Sequence, residues 1–346
     1  MRELVAEALR AAIEDHGPIG FDEFMELALY GPGGFYEEPR VGAEGDFVTS
    51  PAVHAVFARL LGAGLGELHE LLGRPAPLRL TEVGAGDGTL AAGLLQALAG
   101  TDLLYTAVER SPGALEALRA LGGPIVAEQL PASSDLVLAH ELLDNLPFRL
   151  LRGGLEVRVG LEGDRFVERR TVPDGELIGL VGDTPLEGET VVPTGALAFI
   201  DLVAARLADP GYVLLIDYGG VGEPGGPVHG YRAHRIVDDP FVDPGSADIT
   251  AGIDLAMVSR RAESHGLVAY PPVSQRHVLT SLGFEAWIKD ELARQAEHLA
   301  DSRGAEAVRT WSGRSRATLL VDPTALGRMR WLLLATEGMP APSFIA

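Results

Sequence analysis

Cysteine is absent from this 346-residue chain and lysine nearly so, Lys289 standing alone among 28 basic residues. The first absence excludes disulfides and thiolate metal sites and leaves the redox compartment open. Positive charge is scarce as a whole. With 49 acidic residues the formal net charge is −21, and no basic stripe offers itself to a phosphate backbone, which argues against a large nucleic-acid interface and for a partner with a basic segment. No apolar run reaches the roughly 18 residues of a membrane span. Arg2, Glu3 and Glu7 interrupt the amino terminus, so no secretion signal is read and a cytoplasmic location is expected. His229, His234, His265 and His277 lack a metal-ligand spacing, and Asp238, Asp239 and Asp243 read as a solvated loop, so no metal site is expected. What the chain does have is 47% hydrophobic residues, enough for a full core in two domains, or in one domain with a lid and an insertion.

The most informative stretch is Thr81 to Leu90, TEVGAGDGTL. Leu78, Leu80 and Val83 suit a buried strand, and Gly84, Gly86 and Gly88 permit a tight turn with close backbone approach to a ligand before a helix begins. Thr89 stands where a dinucleotide enzyme favours glycine or alanine, and the spacing E-x-G-x-G-x-G resembles motif I of class I S-adenosylmethionine (SAM) methyltransferases. The next apolar strand, from Leu103 to Val108, ends on Glu109, 21 residues after Gly88. An acidic residue there can accept hydrogen bonds from ribose hydroxyls, in SAM or in NAD.

Helix and strand then alternate. A helix is read from Pro112 to Ala120, strands at Ile125 to Ala127 and Asp135 to Ala139, a helix near Ala196 to Leu207, a strand from Tyr212 to Ile216, a helix from Asp254 to His265 and a last strand around Trp331 to Leu334. This is a mostly parallel, doubly wound α/β sheet of Rossmann-like type, whose ligands sit outside the carboxyl ends of the strands. Residues 1–74 read as a helical lid region and residues 75–346 as the catalytic domain, with a hairpin-like insertion at about 148–195. In the lid region Asp22 can cap a second helix, and Ser50-Pro51 can open a helix running to near Gly73.

By position His140, Glu141 and Asp144 border the same crevice as Gly84 and Glu109 and are the catalytic candidates. Asp46, Thr49 and Ser50 gather at a helix amino terminus, with Asp46 able to meet a cationic substrate. Tyr218 follows the fifth strand, and Arg232 lies in a long glycine-rich loop from Gly219 to Asp248, where it could meet a carboxylate. These five are the substrate-side candidates.

Several blocks in order resemble the MidA-type SAM-dependent methyltransferase family, which includes the mitochondrial arginine methyltransferase that assists complex I assembly: FDEFMELALYGPGGFY from Phe21, GDFVTSP from Gly45, TEVGAGDGTL, AHELLDNLPF from Ala139, LLIDYG from Leu214 and DPGSADITAGID from Asp243. The resemblance covers most of the chain. It implies a class I methyltransferase fold, SAM as cofactor and methyl transfer to an arginine of a protein. Glu82, Gly84, Gly86, Gly88 and Glu109 match its cofactor positions, and Glu141 and Asp144 match its acidic block after the fourth strand. Departures from the family pattern bear on the substrate: His140 replaces an asparagine in N-E-x-x-D-x-L-P, Val48 and Ala52 stand where threonine and glutamate are usual, and Gly252 replaces a histidine in T-A-H-V-D. An NAD-dependent oxidoreductase and a noncatalytic SAM-binding assembly factor remain the alternatives.

Overall fold

The computed structural model describes residues 2–37, 49–182, 188–222, 227–232, 235–237 and 239–346. Its centre is a sheet of eight strands: β1 (Leu78–Val83), β2 (Leu103–Val108), β3 (Ile125–Ala127), β4 (Ser134–His140), β5 (Leu207–Asp217), the two-residue β6 (Val268–Ala269) and β7 (Val273–Ser274), and β8 (Arg330–Ala335). The order is β3-β2-β1-β4-β5-β8-β6, with β7 also on β8. β1 to β5 run parallel, and β8 enters antiparallel to β5 with Tyr212 opposite Ala335.

Every residue of β4 is buried, as a central parallel strand covered on both faces must be. Alternation then assigns the faces. Leu136 and Leu138 join Leu80, Leu214, Leu333 and helix Val56–Leu71 on one side, while Val137 and Ala139 join Val213, Leu215, Leu332 and helix Thr194–Ala204 on the other. Helix Val56–Leu71 lies close to helix Thr89–Ala97 because both use small residues at the crossing: a Cβ on Gly93 would overlap that of Ala58. The order of strands reverses between β1 and β4, and the carboxyl ends of those two strands open the crevice that a doubly wound sheet offers to ligands.

Residues in the expected insertion form an antiparallel sheet of strands Arg149–Arg152, Leu155–Glu162, Arg165–Thr171 and Glu189–Val192, extended by Ile19–Gly20 from the amino-terminal segment. The first helices and this sheet share one core, in which the Phe21 and Phe148 rings stack at 5.5 Å with Leu150, Val157 and Val191 around them.

Three local readings need correction. Asp22 is not a cap, because Gly20 occupies that position of helix Phe21–Met25. The helix read from Ser50 is interrupted: Ser50–Val53 stops at His54, which turns to extended backbone and accepts the Val56 N–H on Nδ1 at 3.1 Å, so the ring restarts the helix. The stretch from Gly219 to Asp248 is not one loop, since His229–Arg232 pairs with Arg235–Val237 and with Asp248–Thr250. Its strands are too short and polar to show an apolar alternation.

Candidate active site and cofactor pocket

The glycine loop leaves β1 in left-handed backbone at Gly84, Gly86 and Gly88, with φ of 73°, 54° and 83°. Gly84 is packed, since a Cβ there would come within 2.9 Å of Leu142, whereas a Cβ on Gly86 would meet no protein atom within 4 Å. Gly86 therefore faces open space. Gly88 caps helix Thr89–Ala97 and packs toward Leu118, off the cavity wall. At the end of β2, Glu109 is held by three amides: Gly86 N at 2.9 Å on Oε2, and Arg110 N at 2.6 Å and Ser111 N at 2.9 Å on Oε1. This fixes a carboxylate beside the loop with lone pairs left for hydroxyl donors.

A cavity of about 450 Å³ runs along these strand ends. Its wall includes Glu82, Gly84, Gly86, Glu109, His140 and Glu141, together with Thr49. Glu82 is buried within β1, where Tyr105 Oη donates to it at 2.5 Å; burial nonetheless pushes its carboxyl up to about 8. The tyrosine hydroxyl is the donor that makes a buried acid tolerable there.

A cluster of acids lies beyond β4, with Glu141 on the cavity wall and Asp144, Asp217 and Asp248 behind it. Glu141 has φ of 51°, unusual for a residue with a Cβ. Its Oε1 accepts the Ser50 N–H at 3.2 Å, and burial together with the Asp144 carboxylate raises its carboxyl to about 8. Asp144 accepts the Thr250 hydroxyl on Oδ2 at 2.8 Å, while its Oδ1 finds no donor among the described residues. Asp217 faces it, and burial plus the Asp144 charge push Asp217 well above the carboxylate range. Behind them Asp248 accepts Tyr36 Oη at 2.9 Å and Asn145 Nδ2 at 3.0 Å, and burial raises it to about 7. Two carboxyls in contact in a dry site cannot both ionise without cost, so the group holds protons when empty.

His140 sits against the Phe57 ring at 5.1 Å, and burial drives its imidazole down to about 3. Its Nε2 lies 3.3 Å from Glu141 Oε1 but without hydrogen-bonding geometry. A neutral ring of this kind is a poor proton carrier at neutral pH.

The substrate-side candidates scatter. Thr49 lines the cavity. Ser50 contributes its backbone, its hydroxyl being buried against Gln275 at 3.2 Å. Tyr218 is off the cavity wall, beneath the Arg328 guanidinium at 5.5 Å. Arg232 is outside the cavity as well, bound to Asp243 at 3.3 Å and Ser246 at 3.1 Å, because its short strand turns it toward that loop. Asp46 lies outside the described residues. Sequence reasoning did not single out Asp217, Asp248, Tyr36 or Asn145, although all four stand in blocks it had marked. Tyr30 was also passed over; it stacks on Tyr36 at 5.3 Å and donates to the Asn145 carbonyl at 3.0 Å.

The glycine cradle and the amide-held Glu109 fit an adenosyl ligand, and the comparisons name it. A family described as "Putative S-adenosyl-L-methionine-dependent methyltransferase" matches residues 60–273. The chain belongs to that family. Its cofactor is S-adenosyl-L-methionine. A protein from Burkholderia thailandensis solved with S-adenosyl-homocysteine superposes with a TM-score of 0.85 at 27% identity, over 99% of this chain and 94% of that one. The Drosophila melanogaster homolog of the mitochondrial protein arginine methyltransferase NDUFAF7 is 30% identical, over 95% of this chain and 84% of its own. Human NDUFAF7 is 26% identical over 82% and 74%. These relatives carry mitochondrial names, and the expectation of a cytoplasmic protein is withdrawn on that finding. Among the described residues no helix is long and apolar enough to cross a membrane.

Proposed function

We propose that this methyltransferase acts on an arginine of a protein substrate, with Glu141 and Asp144 holding the guanidinium, Glu82, Gly84, Gly86 and Glu109 serving the cofactor, and Gly88 shaping the loop from behind the cavity wall. One observation carries the reading: Glu141, Asp144, Asp217 and Asp248 form a buried acidic chamber, of which Glu141 is the member on the wall of the cavity that the glycine loop also lines. The names of the relatives agree with an arginine target. SAM supplies an electrophilic methyl group on a sulfonium.

The protein's part is placement and proton handling. A guanidinium stays protonated and offers a planar fork of donors, for which carboxylates are the matching acceptors. Glu141 leaves its strand in left-handed backbone at the junction of both half-sites, which sets the nucleophile near the cofactor end of the cavity. As the nitrogen forms its bond to carbon it must lose a proton. A carboxylate whose affinity for protons is raised to about 8 is suited to take it. The resemblance extends the target to proteins of respiratory-complex assembly.

Incubation of the purified chain with labelled SAM and host lysate, followed by mapping of the labelled residue, tests each layer. Label on arginine supports the reading, and the identity of the labelled protein tests the assembly link. Label on another residue type refutes the arginine target. SAM binding with no transfer to any protein favours a noncatalytic assembly factor.

A further inference from the structure

Asp217, the last residue of β5, is 1% exposed and lies behind the cavity wall. Three backbone amides converge on its two oxygens: Leu142 N at 3.0 Å and Leu143 N at 2.7 Å on Oδ2, and Tyr218 N at 2.8 Å on Oδ1. The first two belong to the residues that directly follow Glu141. The Glu141 N–H is itself bonded to the Ile216 carbonyl at 2.8 Å. Hence β5 grips the turn on both sides of the one left-handed residue in it, a backbone state costing an L-residue about 1–2 kcal/mol unless its surroundings impose it.

We propose that Asp217 is a positioning residue for methyl transfer, clamping the amides after Glu141 so that the Glu141 side chain stays on the cavity wall. This rests on the reading of Glu141 as the group that holds the guanidinium. Asp217 touches neither ligand. Its carboxyl suits the task because both of its oxygens accept amides, whereas an asparagine would turn an NH2 toward one of those N–H groups. The second observation is its contact with Asp144. Both carboxyls are buried, and the Asp144 charge, after burial itself, pushes Asp217 well above the carboxylate range. The clamp and the second proposed guanidinium-holding carboxyl are therefore electrostatic neighbours.

The test uses the full chain and Asp217→Asn, with methylguanidinium as probe in the presence of S-adenosyl-homocysteine. The expected result is that probe affinity, followed by NMR titration, falls about tenfold or more. S-adenosyl-homocysteine affinity by calorimetry stays within about twofold, because Asp217 bears only on the Glu141 turn. Amide exchange at Leu142 and Leu143 should speed up in the variant. Unchanged probe binding overturns the assignment, and so does a joint loss of both affinities, which marks a merely structural residue. Wild-type protein supplies a readout that needs no variant: fast exchange at those two amides means that the clamp does not exist. Failure of the wild type to bind methylguanidinium, with the amides protected, instead refutes the guanidinium reading of Glu141 on which the role depends.

Discussion

Glu141→Gln separates cofactor binding from proton handling, and its expected effect can be worked out from the site. Burial and Asp144 hold the wild-type carboxyl at about 8, so at pH 7 it is mostly protonated in the empty chamber. Glutamine imitates that resting state in size and neutrality. Stability at pH 7 should therefore change little, and S-adenosyl-homocysteine affinity should not change. Guanidinium binding is different, because the wild type must ionise. One pH unit below its pKa this costs about 1.4 kcal/mol, or about tenfold, against a charged hydrogen bond worth roughly 1.5–3 kcal/mol. Glutamine offers no charge, and loss of a preorganised electrostatic contact slows methyl transfer by about 10²-fold at pH 8 or above.

Between pH 6 and 8 the advantage of wild type over variant should grow by close to tenfold per unit and then level off. The assay is transfer of labelled methyl to the acceptor protein at saturating SAM from pH 6 to 9, with calorimetry of S-adenosyl-homocysteine for both proteins. A wild-type to variant ratio that is independent of pH refutes the proton argument. Lost S-adenosyl-homocysteine affinity with turnover retained at saturating cofactor would make Glu141 a cofactor ligand.

Stability itself should run against the habit of acidic proteins. Glu82 and Glu141 at about 8 and Asp248 at about 7 keep protons in the native chain that the unfolded chain releases above about 4–4.5. The native state thus binds more protons across that window, and stability falls as pH rises through it; a higher melting temperature at pH 8.5 than at pH 6 would refute this. Gly86→Val should fold at a cost of about 1–2 kcal/mol for left-handed backbone, yet lose at least about tenfold in S-adenosyl-homocysteine affinity, because the new side chain enters the cavity; calorimetry on the folded variant showing wild-type affinity would remove Gly86 from the cofactor site. Methylguanidinium should bind the chamber more tightly than methylammonium at pH 8, and equal affinities in an NMR titration would contradict a site built for arginine.

The sheet was legible because its signals are local. The apolar run of β4 and the glycines after β1 each name their own structure within a few residues, and the parallel order follows from the alternation with helices. Glu109 could be placed for the same reason, since it closes a strand whose position relative to the loop is fixed by the doubly wound pattern. The acidic chamber was legible only in part. Asp248 meets Tyr36 and Asn145 across 212 and 103 residues, and Asp217 meets the Leu142 amide across 75. A sequence shows that those acids end strands or loops, but not that three chain segments fold them onto one point. Arg232 illustrates the converse: an arginine in a glycine-rich stretch suggested a ligand, whereas Asp243 and Ser246 take its guanidinium. The break at His54 was hidden because His54 lies within an apolar stretch and makes its cap with a ring nitrogen.

The formal charge of −21 and the protonated chamber point to one principle of selection. On the surface, carboxylates are cheap because water solvates them. Beside the cavity four of them crowd together, Glu141 on its wall and Asp144, Asp217 and Asp248 behind it, and protons offset their repulsion. A lysine ammonium entering the same space has an ordinary pKa only about two units above these raised carboxyls, and burial lowers it further, so it can surrender its proton and leave two neutral groups with little attraction. An arginine keeps its charge throughout and brings several donors in one plane, the form in which the proposed role has it meet Glu141 and Asp144. The high proton affinity of the empty site thus favours the one side chain whose own proton affinity is higher still. In the proposed reaction, methyl transfer takes a proton from that side chain beside groups already suited to hold it.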